Sequence, residues 1–388
     1  MTIPRHEDAA ALLRCLAPDV PVTCLRPEIA RAAAERFVAR FPGDTFYAVK
    51  ANPDSRILGA LHAGGVNAFD VASIAEIRLV RRLLPDAELA FMHPVKSRSA
   101  IREAWDLGVR TFALDHPGEL AKLREEVAEP AALRLIVRLD VPDGDSGVRL
   151  ASKFGARGDA AAELLLRCRQ AARFVGASFH VGSQATRPGA WQSALACADA
   201  VIRTAGVLVD VVDVGGGFPV SYPGRPARAL EGWFHEIETA FDKMAVAHGC
   251  QLWAEPGRIL CAGASSLLAR VELRKAASLH INDGTYGGLF DAGPLVDFRY
   301  PARLVRPSTA PYRPFELFGP TCDGLDRMRG PFWLPADVAE GDWIELGQLG
   351  AYSHTLRTGF NGFGQALTAI LDDEPPRVAS SAHRQQSH

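Results

Sequence analysis

Short apolar stretches rich in β-branched and aromatic residues recur along the first two thirds of the chain. They lie at residues 45–51, 66–72, 88–93, 109–114, 133–139, 174–181, 207–214 and 251–256. The segments between them carry apolar residues three and four positions apart, as amphipathic helices do. Strands that alternate with helices in this way, over about 230 residues, predict a (β/α)8 barrel, whose usual length is about 250 residues.

The pattern changes after Arg258, where strand-like segments are separated by proline and glycine and no comparable helices follow. These segments lie at residues 265–276, 278–283, 314–320 and 341–347. They predict a compact β-domain, completed by a strand at 21–25 near the N-terminus. The predicted boundaries are 25–262 for the barrel, 1–24 and 263–370 for the β-domain, and 371–388 for a polar tail that we expect to be disordered.

The composition excludes several classes of partner. The 388 residues are 48% hydrophobic, and 43 basic residues nearly balance 45 acidic ones. Because no block of like charge stands out, we expect neither nucleic acid nor a membrane surface as a partner. The chain has no apolar segment long enough to cross a bilayer and no signal-peptide pattern, which predicts a cytoplasmic protein. Its seven scattered cysteines lack metal-ligand spacing, so we predict no metal site and no disulfide framework.

The loops after predicted strands seven and eight are candidates for an anion site. In a barrel of this kind the active site lies at the C-terminal ends of the strands, and these two loops often hold phosphate. Strand seven runs directly into Gly215, Gly216 and Gly217, and strand eight is followed by Gly257 and Arg258. Taken separately, a glycine run is usually a turn and such an arginine is usually solvated. Their coincidence at both loops favours phosphate binding by backbone N–H groups and a guanidinium.

Three side chains at strand ends are candidates for chemistry. Lys50 ends the first strand; most lysines there are merely exposed, but an amine facing a phosphate site suits a Schiff base with an aldehyde cofactor. Glu255 ends the eighth strand. Alone it would be a surface carboxylate, whereas beside a pyridine nitrogen it would keep the ring protonated as an electron sink. His180, at the end of strand six, is either a core histidine or a flat ring that stacks on a cofactor.

These residues belong to an ordered series of motifs that resembles a known family. In chain order the motifs are AVKAN, FDVAS, HVGSQ, DVGGGFP, EPGR, NDGTYG, GPTCDGLD, GAYS and FNGF. From about Pro21 to Phe363 the chain resembles the alanine-racemase-like (fold type III) pyridoxal-phosphate enzymes, and among them the ornithine, lysine and diaminopimelate decarboxylases. GPTCDGLD and FNGF resemble ornithine decarboxylases particularly. Diaminopimelate decarboxylases generally have a glutamate where this chain has Asp323.

The resemblance implies pyridoxal 5′-phosphate (PLP) as the cofactor and assigns roles to the barrel residues. It makes Lys50 the Schiff-base lysine, Glu255 the partner of the pyridinium nitrogen and His180 the ring that stacks on the cofactor. The residues that it places at the phosphate are Ser183, Gly216, Gly217, Gly257, Arg258 and Tyr352. The charged residues that it places around the lysine are Asp70, Glu76 and Arg138.

The resemblance also assigns roles to residues of the β-domain. Cys322 resembles the acid that returns a proton to the α-carbon, and Asp323 the carboxylate that holds the distal amine. In this family both reach the active site from the neighbouring subunit, so a homodimer is implied. Other residues expected to bind substrate are Tyr286 and Phe360, together with Asp291 or Asp297. These two aspartates are alternatives for a second acidic residue that sets the pocket length, which leaves ornithine and lysine both open.

The predicted function is the decarboxylation of L-ornithine to putrescine, of L-lysine to cadaverine, or of both. Decarboxylation of arginine or diaminopimelate is an alternative. An amino-acid racemase on the same barrel would not need the GPTCDGLD motif. A non-catalytic homologue that binds the cofactor should lack Lys50, Glu255, Cys322 or Asp323, and all four are present. The prediction rests on these side chains, because a shared fold alone does not establish an activity.

Overall fold

The computed structural model describes residues 3–142, 146–148 and 153–378. The chain divides into two compact units. A β-rich unit contains residues 1–30, 220–227 and 260–388, and a barrel unit contains residues 31–219 and 228–259. Among the residues described, no helix is both long and apolar enough to span a membrane.

The regular elements follow the chain in a simple order. The strands are β1 (Arg5–His6), β2 (Val22–Leu25), β3 (Asp44–Ala48), β4 (Ala68–Val71), β5 (Glu88–Phe91), β6 (Thr111–Leu114), β7 (Arg134–Arg138), β8 (Ser146–Val148), β9 (Phe174–Ser178), β10 (Ser183–Ala185), β11 (Val211–Asp213), β12 (Gln251–Ala254), β13 (Ser265–Lys275), β14 (Ser278–Ile281), β15 (Ala302–Leu304), β16 (Tyr312–Phe318), β17 (Arg327–Pro335), β18 (Trp343–Leu346) and β19 (Leu367–Leu371). The α-helices are α1 (Ala9–Leu16), α2 (Pro27–Val38), α3 (Ser55–Ala63), α4 (Ile74–Leu83), α5 (Arg98–Asp106), α6 (Pro117–Glu126), α7 (Gly158–Ala171), α8 (Ala190–Ala205), α9 (Leu230–Phe241) and α10 (Arg258–Cys261). Single 3-10 turns lie at Val49–Ala51, Pro130–Ala132, Ala262–Ala264, Phe290–Ala292, His354–Leu356 and Phe360–Gly362.

The barrel unit is a closed parallel barrel, as the alternation of strands and helices predicts. Its strands follow the order β3-β4-β5-β6-β7-β9-β11-β12, and β12 pairs with β3 to close the ring. Each of the eight apolar stretches singled out in the sequence overlaps one of these strands. The predicted (β/α)8 barrel is therefore confirmed.

The barrel interior is apolar in one layer and polar in the next. Phe46, Ala68, Ile136, Val211 and Trp253 belong to one buried apolar cluster. Because side chains alternate along a strand, the residue two positions later points to the same side. In four of these strands that residue carries a charge, and the four are Asp70, Arg138, Asp213 and Glu255. A layer of charged groups thus covers the apolar core near the C-terminal ends of the strands.

The β-rich unit is built on a nine-stranded sheet. Its main path is β1-β19-β2-β13-β14-β16-β17, while β18 pairs with β13 and β15. The N-terminal strand β2 lies antiparallel to β13, so the expected completion of the β-domain by an N-terminal strand is confirmed. Strand β17, which pairs with β16 along most of its length, was not predicted from the sequence.

Two segments differ from the boundaries expected from the sequence. Residues 220–227 group with the β-rich unit, because the buried Tyr222 packs against the rings of Phe298 and Tyr300 at 5.1 and 5.4 Å. The tail expected to be disordered begins with ordered contacts, since Asp373 forms ion pairs with Arg26 and Arg303. Residues 379–388 of that tail lie outside the described residues.

Candidate active site

Lys50 lies directly after β3, in the 3-10 turn Val49–Ala51. Its Nζ atom lies 2.5 Å from Oδ2 of Asp70, at the end of the neighbouring strand β4. Asp70 is only 1% exposed, whereas 43% of the Lys50 side chain is exposed. The amine is therefore accessible from outside the barrel, while its carboxylate partner is buried and fixed.

Glu255 follows β12 and is 4% exposed. No N–H or hydroxyl donor within the described residues reaches its Oε1 atom. Burial raises the pKa of Glu255 well above its usual range, and the negative charges of Asp213 and Asp70 raise it further. Burial also raises the pKa of Asp213, although Gly215 N–H donates to its Oδ1 atom at 2.8 Å. A buried acceptor of this kind is suited to a ligand that brings its own hydrogen-bond donor.

His180 follows β9 and presents a neutral ring. The N–H of Gly182 donates to its Nδ1 atom at 2.9 Å, which leaves the ring hydrogen on Nε2. Burial lowers the pKa of His180 well below its usual value, and the positive charges of Arg138 and Lys50 lower it further. An uncharged flat ring is thus available at physiological pH.

The glycine loop after β11 packs closely against the neighbouring strand ends. A Cβ atom on Gly216 would lie 2.6 Å from the carbonyl oxygen of Glu255 and 3.2 Å from Nε2 of His180. Gly215 and Gly217 have φ angles of +65° and +98°, in the left-handed region that favours glycine. Any side chain at position 216 would displace the two groups that it meets, so the loop requires glycine there.

The other barrel residues predicted for the cofactor lie at strand ends or in the following loops. Arg258 begins α10 directly after the buried Gly257 and is itself 6% exposed. Ser183 begins β10, and Arg138 ends β7. Glu76 lies in the first turn of α4, and its carboxylate accepts a hydrogen bond from the N–H of Ala72 at 2.7 Å. The predicted lysine, acids, histidine and glycine loop therefore occupy the same end of the barrel.

In the β-rich unit, the residues predicted to bind substrate come from three separate segments. The hydroxyl group of Tyr286 donates to Oδ2 of Asp323. The ring of Phe360 lies 5.0 Å from that of Tyr286. The N–H of Cys322 donates to Oδ1 of Asn361 at 3.1 Å, and the Cys322 thiol is exposed and free. The segment Phe360–Gly362 thus joins the two motifs that carry Tyr286 and Asp323.

Asp323 keeps its negative charge and remains accessible. Its Oδ1 atom accepts the N–H of Leu325 at 2.9 Å. This bond, followed by the one from Tyr286, lowers the pKa of Asp323 below its usual value. Both donors are neutral, so the carboxylate retains its charge for a cationic ligand.

Asp326 fixes the loop that carries Cys322 and Asp323, a role that was not predicted from the sequence. This buried carboxylate accepts from the N–H and Oγ1 of Thr285 at 2.7 and 3.0 Å, and from those of Thr321 at 3.0 and 2.7 Å. It therefore joins the loop before Tyr286 to the loop before Cys322. The last aspartate of GPTCDGLD was visible in the sequence, but its partners were not.

Three further predicted residues also lie in the β-rich unit. Asp291 is buried in the turn Phe290–Ala292, whereas Asp297 is half-buried with a φ of 57°. Of the two candidates for the second acid, Asp297 is therefore the more accessible. Tyr352, predicted to bind phosphate, is half-buried and has a φ of 56°.

Comparison with known proteins identifies the family. The pyridoxal binding domain of pyridoxal-dependent decarboxylases matches residues 28–262, more than half of the chain. The chain belongs to the pyridoxal-dependent decarboxylase family. This PLP-dependent enzyme is 34% identical to the decarboxylase flvG of Aspergillus flavus, with 85% of this chain and 80% of the relative covered. It is 33% identical to a lysine/ornithine decarboxylase of Selenomonas ruminantium, with 86% and 85% covered.

A solved structure is similar to this chain over nearly its whole length. The arginine decarboxylase of Paramecium bursaria Chlorella virus, in a complex with agmatine, superposes with a TM-score of 0.82 at 29% identity. The match covers 93% of this chain and 98% of that one. The family expected from the motifs is thus confirmed.

The barrel residues fit the family's cofactor. Oε1 of Glu255, which meets no N–H or hydroxyl donor in the described part, can accept the hydrogen of a protonated ring nitrogen. The space that a Cβ atom on Gly216 would fill lies between Glu255 and His180 and allows a close approach to the backbone. Lys50 supplies an accessible amine at the same strand ends.

Proposed function

We propose that the protein decarboxylates a basic L-amino acid, L-ornithine or L-lysine, with PLP held in the barrel unit. The observation that carries the choice of substrate is Asp323, a half-buried carboxylate held in its ionised form by two neutral donors. A fixed negative charge of this kind is suited to the distal ammonium group of a basic amino acid. The similarity to a lysine/ornithine decarboxylase supports the same choice.

Each barrel residue has a defined part in this proposal. Bound PLP supplies an electron sink for the electron pair that remains when the substrate carboxylate leaves as carbon dioxide. Lys50 would hold the cofactor aldehyde through its amine. Glu255 would keep the ring nitrogen protonated, and the neutral ring of His180 would stack on the cofactor. The backbone N–H of Gly216 and the guanidinium of Arg258 would bind the phosphate.

The β-rich unit completes the reaction. Cys322 gives the proton of its Sγ atom to the α-carbon, where the carboxylate was attached. The substrate therefore loses carbon dioxide and gains one hydrogen, which yields a diamine. Asp323 holds the distal ammonium group. The substrate is therefore held at both ends, which fixes the position of its α-carbon.

We infer that Cys322 and Asp323 serve the barrel of a second copy, which makes the active enzyme a homodimer. Mixing inactive Lys50→Ala protein with inactive Cys322→Ala protein tests this. Random exchange of subunits should restore about a quarter of the wild-type activity, because about half of the dimers are mixed and each mixed dimer has one intact site of two. No recovery despite proven mixed dimers would place both residues in one subunit's site.

The cytoplasmic location stays a prediction from the sequence.

A panel of substrates tests the proposed specificity. The protein is incubated with PLP and with ornithine, lysine, arginine or diaminopimelate, and the amine products are identified by mass spectrometry. We expect putrescine, cadaverine or both. Agmatine as the main product would instead assign the enzyme to arginine, and products from diaminopimelate alone would contradict the role given to Asp323.

A further inference from the structure

Two carboxyl groups meet in the polar layer of the barrel interior. Asp213 ends β11, and Glu255 follows the neighbouring parallel strand β12. Val211 and Trp253, two positions earlier, belong to the apolar interior, so both acids point into the barrel. Their side chains are hydrogen-bonded to each other, and both are almost fully buried.

A hydrogen bond between two carboxyl groups needs a proton on one of them, because carboxylate oxygens only accept. The charged groups that face the pair are Asp70, Lys50 and Arg138. Lys50 is paired with Asp70 at 2.5 Å, so the charges of these two groups partly offset each other, and Arg138 also faces the two buried acids. Two ionised carboxylates in contact at a buried site are unfavourable, and such pairs commonly share one proton.

We propose that Asp213 is a positioning residue for Glu255, and that the two carboxyl groups share one proton in the cofactor-free protein. Oδ1 of Asp213 also accepts the N–H of Gly215 at 2.8 Å. Asp213 therefore ties the carboxyl group expected to face the ring nitrogen to the loop expected to hold the phosphate. Asp213 was not among the residues predicted from the sequence.

The electrostatics of the pair agree with this arrangement. Burial raises the pKa of both carboxyl groups, and the charge of Asp213 contributes to the rise at Glu255. Because the two groups interact, their protons come off in steps that belong to the pair. Asp213 thereby sets both the orientation and the proton affinity of Glu255.

Infrared spectroscopy of the cofactor-free, full-length protein tests the proposal. The carbonyl band of a protonated carboxyl group is followed against pH in the wild type and in Asp213→Asn. The amide can still accept from Gly215 and donate to Glu255, but the negative charge is gone. We expect the band of Glu255 to disappear at a pH lower by about one unit in the variant. An unchanged midpoint would overturn the proposal.

A matched control lies on the outer side of the same chain segment. Asp210 precedes β11, and its carboxylate pairs with Arg169 and accepts the N–H of Val175. Asp210→Asn also removes one negative charge, yet it should leave the midpoint unchanged. A shift equal to that of Asp213→Asn would mean that net charge alone moves the band, which would contradict the pairing.

A second variant covers the case in which Asp213→Asn does not fold. The spectrum of the wild type minus that of Glu255→Gln at neutral pH should contain one protonated carboxyl band, and its absence would overturn the proposal. This inference rests on the proposed function only where it says that Glu255 faces the ring nitrogen of PLP. Because these spectra need neither PLP nor substrate, a missing amine product would leave them unaffected, so the two failures are distinguishable.

Discussion

The hydroxyl group of Tyr286 donates a hydrogen bond to the carboxylate of Asp323, which lies 37 residues later in the chain. The bond also raises the pKa of Tyr286, because an ionised tyrosine would face a negative charge. The pair therefore consists of a neutral hydroxyl group and an ionised carboxylate at neutral pH. This arrangement presents one fixed negative charge to a cationic substrate.

Asp323→Asn should raise the KM for ornithine or lysine by roughly tenfold or more, because the amide offers no charge to the distal ammonium group. Binding of PLP, measured by fluorescence titration, should change little. Asp337→Asn is the control, since Asp337 is an exposed acid of the β-rich unit whose pKa is also lowered. A wild-type KM in Asp323→Asn would exclude this residue from substrate binding.

Lys50 should carry the cofactor covalently. Borohydride reduction of the protein loaded with PLP should fix the label on the peptide that contains Lys50, because its amine is accessible at the strand ends. Lys50→Ala should take up no label under the same conditions. Peptide mapping that finds the label on another lysine would disprove the assignment.

Glu255→Gln should retain PLP but lose most of its activity. The amide cannot keep the ring nitrogen protonated, and the lost stabilisation should lower kcat by about two to three orders of magnitude. Steady-state kinetics at saturating PLP measures this effect. A turnover close to that of the wild type would show that the ring does not serve as the electron sink.

Glu255 should also make the stability of the cofactor-free protein depend on pH. Its folded pKa is raised, so above the unfolded value of about 4.3 the unfolded chain releases a proton that the folded protein keeps. The free energy of unfolding is therefore lowered progressively as the pH rises from there toward the folded pKa. Glu255→Gln removes this loss.

Relative to the wild type, the cofactor-free Glu255→Gln variant should thus gain stability between pH 5 and pH 7, by up to about 1.4 kcal/mol per pH unit. Urea denaturation at several pH values measures the difference. A difference that stays constant with pH would contradict the raised pKa.

The sequence predicts the barrel well because its strands are buried on both faces and read as continuous apolar runs. Lys50, His180 and Glu255 were found because each stands at the end of such a run. Asp213 was missed, although it ends strand β11 and its neighbour Gly215 was noticed. Counting two positions onward from Val211 would have placed Asp213 in the barrel interior.

The β-rich unit was harder to predict from local pattern. Strand β17 contains the cis peptide bond between Gly330 and Pro331, and both residues normally indicate a turn. The bond between Tyr286 and Asp323 depends on how distant strands pair, which no local spacing encodes. The roles of these residues were therefore reached only through resemblance to a family.

Decarboxylation is tested most directly with ornithine or lysine labelled with carbon-13 in the α-carboxyl group, incubated with the protein and PLP in deuterated water. We expect the label to leave as carbon dioxide in a one-to-one ratio with diamine, and the diamine to carry one deuterium on the former α-carbon. A racemase would instead keep the label in the amino acid while deuterium enters at the α-carbon. Retention of the label would contradict the proposed decarboxylation.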